Sequence, residues 1–302
     1  MVDQKPHICV CICTYKRPET LLKLLLKLEE QVTNNLFYYS VVIVDNDKCE
    51  SARQTVESYA QHSNLQIRYF VEIEQNISLA RNKAIEKSEG DFIGIIDDDE
   101  YPSTAWLLKL FTAFNAHKPN GGILGPVVPY YPEGTPQWLV KSKICDRPAH
   151  PTGTLLDWNM TRTGNVLLSR NIFRQSGFLF DSKKGRTGGE DKDFFKMLME
   201  HGCSFIWCQE AHVYEVIYED RWKLSHYLHR SLMMGGAAGK EYGKYSLYLI
   251  KSLISLSCYL VFLGVSIFRG RHNIYKNVIR VVYDFARVMG CLGFVFEKER
   301  RD

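Results

Sequence analysis

The 302-residue chain reads as an α/β protein, with a mainly parallel sheet and helices on both faces. Three observations predict this. Short apolar runs alternate with segments of helical spacing through the first hundred residues, the pattern of successive βα units. Three of those runs break into polar groups at their carboxyl ends, at Thr14, Asp45 and Asp97, and such sheets bind ligands along that edge. Hydrophobic residues make up 45% and charged residues 24%, enough for a core and too polar on average for a polytopic membrane protein.

The elements follow in order. Residues 8–13 are a short apolar strand, and Pro18 opens a leucine-rich helix over 21–28. The run 40–44 is a second strand ending in Asp45-Asn46-Asp47, and 51–61 is a polar helix leading to a strand at 67–71. Ser78 is placed to cap a helix from Leu79 to about Ser88, with Gly90 after it. Residues 92–96 form a further strand that ends in Asp97-Asp98-Asp99-Glu100, followed by Pro102 and a helix from about Ser103. Residues 119–153 hold seven prolines and read as an irregular linker-like region over the site.

Several function classes lose ground at once. No Gly-x-Gly-x-x-Gly follows the first strand and no Gly-Lys-Ser/Thr loop occurs, which argues against dinucleotide and P-loop chemistry. A net charge of +4 is too mild for nucleic acid to be the expected partner. The nine cysteines lack metal-ligand spacing, and Cys9, Cys11 and Cys13 share one strand face as small buried hydrophobes in a reducing compartment. No signal peptide opens the chain, so the catalytic part is expected in the cytoplasm.

Two acidic clusters carry chemistry. Four consecutive acids after an apolar strand repel one another unless a cation lies among them, and Mg²⁺ or Mn²⁺ shares such carboxylates with phosphates. An exposed acidic turn is the bland alternative; the position at a strand's carboxyl end favours the metal. In the second cluster, Gly188-Gly189-Glu190-Asp191-Lys192-Asp193, the acids either open a helix or present a general base.

The motifs ICTYKRPE, VVIVDND, ISLARNKA, FIGIIDDDE, TGNVLLSR and GGEDKDFF occur in that order. Together they resemble family 2 inverting glycosyltransferases of GT-A fold, in the bacterial group that builds exopolysaccharide or lipopolysaccharide repeat units by succinoglycan-type chemistry. The resemblance covers about residues 7–230 and implies a nucleotide-sugar donor, by preference a UDP-sugar, with Mn²⁺ or Mg²⁺ as cofactor. It places Thr14 and Asp45 at the nucleotide base and ribose, with Asp45 suited to a uracil N–H, and Arg81 near the phosphates. Asp97 and Asp99 are the two acids of the DxD motif, with Asp98 between them on the donor side. Asp99 is then the direct metal ligand, and Asp97 meets the ribose or a metal-bound water. Asp191 becomes the catalytic base, with Glu190 beside it, and Gly164 and Asn165 lie near the donor sugar or acceptor.

Weaker assignments belong to the acceptor and diphosphate: Trp158, Arg221, Trp222 and His229. His226, His229 and Arg230 share a helical face that reads equally well as solvated. The full Gln-x-x-Arg-Trp form of processive relatives is absent, Ile217 through Glu219 standing in its place. His212 is more naturally a strand-edge or core histidine than a third metal ligand. Trp138, like Trp158, reads first as packing. The competing functions are a sugar-binding module without catalysis and a sugar nucleotidyltransferase, which needs a Gly-rich loop that Thr14-Tyr15-Lys16-Arg17 does not supply.

The C-terminal segment has a different character. Residues 252–268 are 17 positions without a charge, bracketed by Lys244, Lys251, Arg269 and Arg271. Within 274–296, Lys276, Arg280, Asp284 and Arg287 recur along one face, the pattern of an interfacial amphipathic helix. A buried helix pair and an oligomer interface are the alternatives. Residues 244–302 carry ten Lys/Arg against four acids, net +6, so residues 1–243 are net −2. The expected division is therefore a catalytic domain at 1–243 and a membrane-associating segment at 244–302. That segment would dock, peripherally or monotopically, on the cytoplasmic face of the inner membrane, where a lipid-linked or envelope glycan acceptor resides.

Overall fold

The strand β1 (His7–Thr14) alternates between two cores: Ile8, Val10 and Ile12 face one, Cys9 and Cys11 the other, as a period of two requires of a strand covered on both sides. The computed structural model describes residues 5–186, 188–243 and 246–294. After β1 come α1 (Pro18–Glu29), β2 (Tyr38–Asp45), α2 (Arg53–Ala60), β3 (Ile67–Val71), α3 (Ile77–Lys87) and β4 (Phe92–Ile96). A short β5 (Glu100–Pro102), α4 (Trp106–His117), β6 (Gly122–Leu124), β7 (Val127–Tyr130) and α5 (Gln137–Ser142) follow. Next are β8 (Asn165–Ser169), α6 (Asn171–Ser176), α7 (Glu190–Glu200), β9 (Phe205–Trp207) and β10 (Val213–Val216). Three long helices complete the described chain: α8 (Leu224–Tyr242), α9 (Leu247–Ser266) and α10 (Arg271–Cys291).

The main sheet has the order β3-β2-β1-β4-β8-β6-β9. The first four strands are parallel, β8 runs antiparallel to β4 and β6, and β9 is parallel to β6. Leu21, Leu24, Leu25 and Leu28 of α1 join Trp106 and Leu110 of α4 over one face. Ala80 and Ala84 of α3 join Phe194, Phe195 and Leu198 of α7 over the other. This is the mixed, mainly parallel α/β architecture expected from the sequence. A second small sheet, β5-β10-β7, pairs Glu100 with Glu215.

Three local expectations need correction. Asn76, not Ser78, caps α3, its side chain accepting from Ser78 N at 3.0 Å and Leu79 N at 3.3 Å, so the helix starts at Ile77. The proline-rich stretch 119–153 is not linker-like throughout. Ile123 and Leu124 of β6 are fully covered between β8 and β9, and α5 buries Leu139; apolar burial there outweighs the breaking tendency of the surrounding prolines. Helix α4 begins at Trp106, after Ser103 has used its N–H on His212 O.

The compact units also divide differently from a boundary at 243/244. One comprises 1–128 with 147–215, the other 129–146 with 216–302. The reason lies in α8, which packs along α10. A Cβ on Gly290 would stand 2.2 Å from Gly236 O, and one on Gly239 2.0 Å from Arg287 O. Only glycine permits so close a backbone approach, and it fastens residues before 243 to the C-terminal helices. Leu139, Ile217, Tyr227 and Ile279 form this unit's own core.

Within the second unit the polar stripe of α10 is only partly solvated. Arg280 is exposed, but Asp284 is buried, accepting from Ser255 Oγ at 2.5 Å and pairing with Arg287 at 2.8 Å. Helix α9 instead presents an apolar surface, with Ile254, Val261 and Phe262 all more than half exposed. From Leu247 to Arg269 it is long and apolar enough to cross a membrane. Lys244 and the charged residues Glu297, Lys298, Glu299, Arg300, Arg301 and Asp302 lie outside the described residues.

Candidate active site

The parallel strands end level with one another: Thr14 of β1 stands opposite Asp45 of β2, and β4 delivers Asp97 one residue past Ile96. Asp45 is wholly buried. Its carboxylate accepts from Asp47 N at 3.0 Å, Ala52 N at 2.8 Å and the Tyr69 hydroxyl at 2.8 Å. It thus fixes the turn into α2.

The acids after β4 do not splay into solvent. Thr14 Oγ1 donates to Asp98 Oδ2 at 2.8 Å, and Arg17 Nη1 donates to Asp98 Oδ1 at 3.2 Å and Asp99 Oδ2 at 3.1 Å. Burial pushes the Asp98 carboxyl up to about 6, against the opposing pull of Arg17 and Thr14. Glu100 is more deeply enclosed: burial, then the charge of Asp97, holds its carboxyl well above the usual range. Its Oε2 accepts from Asp97 N at 3.3 Å. Gly164 lies directly against it, and a Cβ there would stand 2.4 Å from Glu100 Oε1.

Arg81, buried on α3, links the two acidic clusters that the sequence sets nearly a hundred positions apart. Its guanidinium donates to Glu190 Oε1 at 2.6 Å and reaches Asp97 Oδ1 at 3.4 Å, with the Phe180 ring 5.5 Å away. Burial works against the arginine's charge, but Asp97 and Glu190 outweigh it and its pKa is raised. Helix α7 opens beside this pair after Gly189, which carries a positive φ of 91°. Asp191 is half-buried, its Oδ1 accepting from Lys192 N at 2.8 Å. Trp158 lies in a single 3-10 turn packed on α7, with Lys196 Nζ 5.4 Å from its ring centroid.

Asn165 is placed differently from a donor-binding side chain. It is 1% exposed, accepts from Trp106 Nε1 at 2.7 Å, and donates to Pro126 O at 2.9 Å and Ala211 O at 2.7 Å. All its polar capacity ties β8 to α4 and to the loops beyond β6 and β9. His212 lies at the edge of β10, its Nδ1 3.1 Å from Glu210 O.

Arg221, Trp222, His229 and Trp138 belong to the second unit. Trp222 Nε1 donates to Ile217 O at 2.8 Å, and its ring packs on Gly134. Trp138 meets Tyr227 and Tyr275 edge-on, a packing role. Arg221 is half-buried and His229 exposed.

Sequence reading passed over Arg147, Arg162, Glu100 and Glu215 as a group. Arg147 is ion-paired with Glu215 and stands 3.9 Å from Glu100 Oε1. Arg162, two residues before Gly164, shares the electrostatic surroundings of Arg147, Asp191, Glu100 and Glu215. Its proximity to the TGN motif was the one available signal; Arg147 had none.

Among the described residues no set of three or more His, Cys, Asp or Glu side chains is arranged to hold an ion. Hard carboxylate donors are nevertheless present at Asp97, Asp98 and Asp99. A magnesium-like ion takes one or two carboxylates from a protein and completes its shell with water and phosphate, so this donor set fits a metal shared with a substrate.

Comparison with known proteins gives the family of the chain. Residues 9–212 match the family described as glycosyl transferase family 2. The chain belongs to that family and is a glycosyltransferase. The succinoglycan biosynthesis protein ExoM of Rhizobium meliloti (strain 1021) is 32% identical over 243 residues, covering 80% of this chain and 76% of that protein. Two solved structures share the GT-A fold. One is S. aureus TarS 1–349 in complex with UDP-GlcNAc (TM-score 0.55, 16% identity, 93% of this chain and 90% of that one). The other is the mannosyltransferase PcManGT from Pyrobaculum calidifontis in complex with GDP-Man and Mn²⁺ (TM-score 0.62, 14% identity, 96% and 88%).

Proposed function

We propose that this glycosyltransferase is metal-dependent and inverting, moving a sugar from a UDP-sugar to a lipid-linked or cell-envelope glycan. The observation that carries the reading is the Asp97–Arg81–Glu190 chain, which ties the first turn of α7, where Asp191 follows Glu190, to one carboxylate of the DxD motif. In this reading Thr14 and Asp45 stand at the nucleotide end of the site, Asp45 through the turn into α2 that its three hydrogen bonds fix. Asp99, with Asp97, would hold the Mn²⁺ or Mg²⁺ ion, which when bound neutralises charge on the leaving diphosphate. Asp191 takes the proton of the acceptor hydroxyl as its oxygen bonds to the anomeric carbon. The bond to the diphosphate breaks on the opposite face, so the centre inverts. Arg81 keeps Glu190, and with it the first turn of α7, fixed while Asp191 works. Trp158 offers a flat apolar surface to the acceptor sugar.

The exposed apolar face of α9, with Lys251, Arg269 and Arg271 near its ends, supports attachment to the inner leaflet. There the acceptor's lipid would be within reach.

A panel of nucleotide sugars with Mn²⁺ or Mg²⁺, scored for nucleotide release, tests the donor and metal assignments. One UDP-sugar is expected to give release that chelation abolishes and Asp99→Asn cuts at least a hundredfold, the order set by loss of electrostatic stabilisation. No release from any donor would favour a sugar-binding module instead.

A further inference from the structure

The chain that leads into α7 is seated on the start of α3 by side chains the proposed mechanism does not use. Buried Asn76 makes the central join. Its Oδ1 caps α3 on Ser78 N and Leu79 N, while its Nδ2 donates to Ser182 O at 2.8 Å. Beside it, Ile77 N donates to Gly185 O at 3.3 Å, and a Cβ on Gly185 would stand 1.7 Å from Asn76 Oδ1. Asn82 and Phe180 exchange hydrogen bonds of 2.9 and 2.8 Å, and Arg186 Nε donates to Gln75 O at 3.2 Å. Asn76 is held in turn from β2: Asn46, one residue past Asp45, accepts from Asn76 N at 2.8 Å and donates to Glu72 O and Glu74 O at 3.0 and 2.6 Å. Beyond the seat the chain passes Gly188 and Gly189, with φ of 90° and 91°, where a Cβ would meet no described atom within 4 Å. Such glycines impose no direction of their own. The entry to α7 therefore depends on its two flanks, Glu190 held by Arg81 and the strap 180–186 held by Asn76.

We propose that Asn76 is a positioning residue for sugar transfer: through Ser182 it seats the strap that leads Asp191 into place, and through Asn46 it registers that seat against the turn after Asp45. This rests on the reading of Asp191 as the base. The two ends of the Asn76 amide divide the work. The oxygen caps α3, which carries Arg81, and the nitrogen holds the strap. An aspartate at this position keeps the cap, since Asp and Asn serve equally well there, but it cannot donate to Ser182 O. The substitution Asn76→Asp thus separates positioning of the strap from support of the fold.

The test uses the full chain in detergent and has two arms. In the first, amide hydrogen exchange is followed without ligand. Asn76→Asp is expected to speed exchange of the strap amides, Lys183 to Gly188, by about tenfold, the scale of one lost hydrogen bond, and to leave the amides of α3 at the parent rate. Asn76→Ala, which also removes the cap, should speed both. In the second arm, sugar transfer is measured with the donor that the nucleotide-sugar panel selects. Asn76→Asp should lower kcat by about 10–100-fold, as misplacement of a reacting group does, with the donor KM unchanged. Gly185→Ala, whose Cβ meets Asn76 Oδ1, should reproduce the fall in kcat. Strap exchange unchanged in Asn76→Asp would overturn the proposal. So would exchange of α3 rising in step with the strap, or a strap loosened at the parent kcat. The base reading fails separately, if Asp191→Asn transfers sugar at the parent rate, and the exchange arm does not depend on it.

Discussion

Asn165 shows how one side chain can matter to a site without touching its ligand. It satisfies the Trp106 indole N–H and two backbone carbonyls at once, and each such group left unpaired in a core costs about 1–3 kcal/mol. Asn165→Ala is therefore expected to lower unfolding stability by about 2–4 kcal/mol, measured in urea, while the folded fraction binds nucleotide as before. Weaker nucleotide binding at unchanged stability would return Asn165 to the donor site. Asp98 carries a pH signature. Its folded pKa of about 6 lies above the ordinary 3.8, so between those values the folded state binds the proton more tightly than the unfolded chain. Its contribution to stability is full at the acid end and is lost as pH rises through about 6. Metal-free thermal melts of Asp98→Asn should lack that part of the fall, and parallel pH profiles for variant and parent would refute the assignment. At this scale the acids and Arg81 were legible, because ordered motifs mark them. Arg162 and Arg147 were not, because their meaning depends on which carboxylates the fold has already engaged.

Among the elements, those with a clear period were readable: β1 to β4 and the leucine face of α1 fall close to where alternation and 3.6-residue spacing put them. The short β6 and the six-residue α5 were hidden by the prolines around them, since three or four buried residues make no pattern a periodicity can detect. Helix α9 was visible as an apolar run, but its setting was not. Gly239 and Gly290 bind α8 to α10, so truncation at Gly243 would strip α8 of its partner and confuse unfolding with release from a membrane. Substitution on the exposed face avoids this. Ile254→Glu with Phe262→Glu removes little packing, since both side chains are more than half exposed and Phe262 gives up an edge-on contact with Tyr259. Charges in a membrane-buried helix cost about 2–4 kcal/mol each. Co-sedimentation with anionic vesicles should fall at least tenfold with no change in melting temperature; undiminished co-sedimentation would remove α9 from the membrane account.

At the scale of the whole molecule, a family 2 glycosyltransferase unit is joined to a helical unit that takes in residues 129–146 as well as the C-terminus. The sequence drew that boundary by charge and hydropathy, which change near 244. The chain draws it by packing, which changes near 216. The net positive charge beyond 243 and the acid clusters of the catalytic part are properties of composition, and they stand wherever the contacts divide. The central claim concerns the Asp191 carboxylate in the first turn of α7, next to the Glu190 that Arg81 holds. It is tested most directly by Asp191→Asn in the full-length protein, with nucleotide-sugar binding and sugar transfer measured on the same preparation. The account predicts unchanged donor affinity and a transfer rate lower by about 10²–10⁴-fold, the usual contribution of a positioned base. Transfer at the parent rate would contradict it.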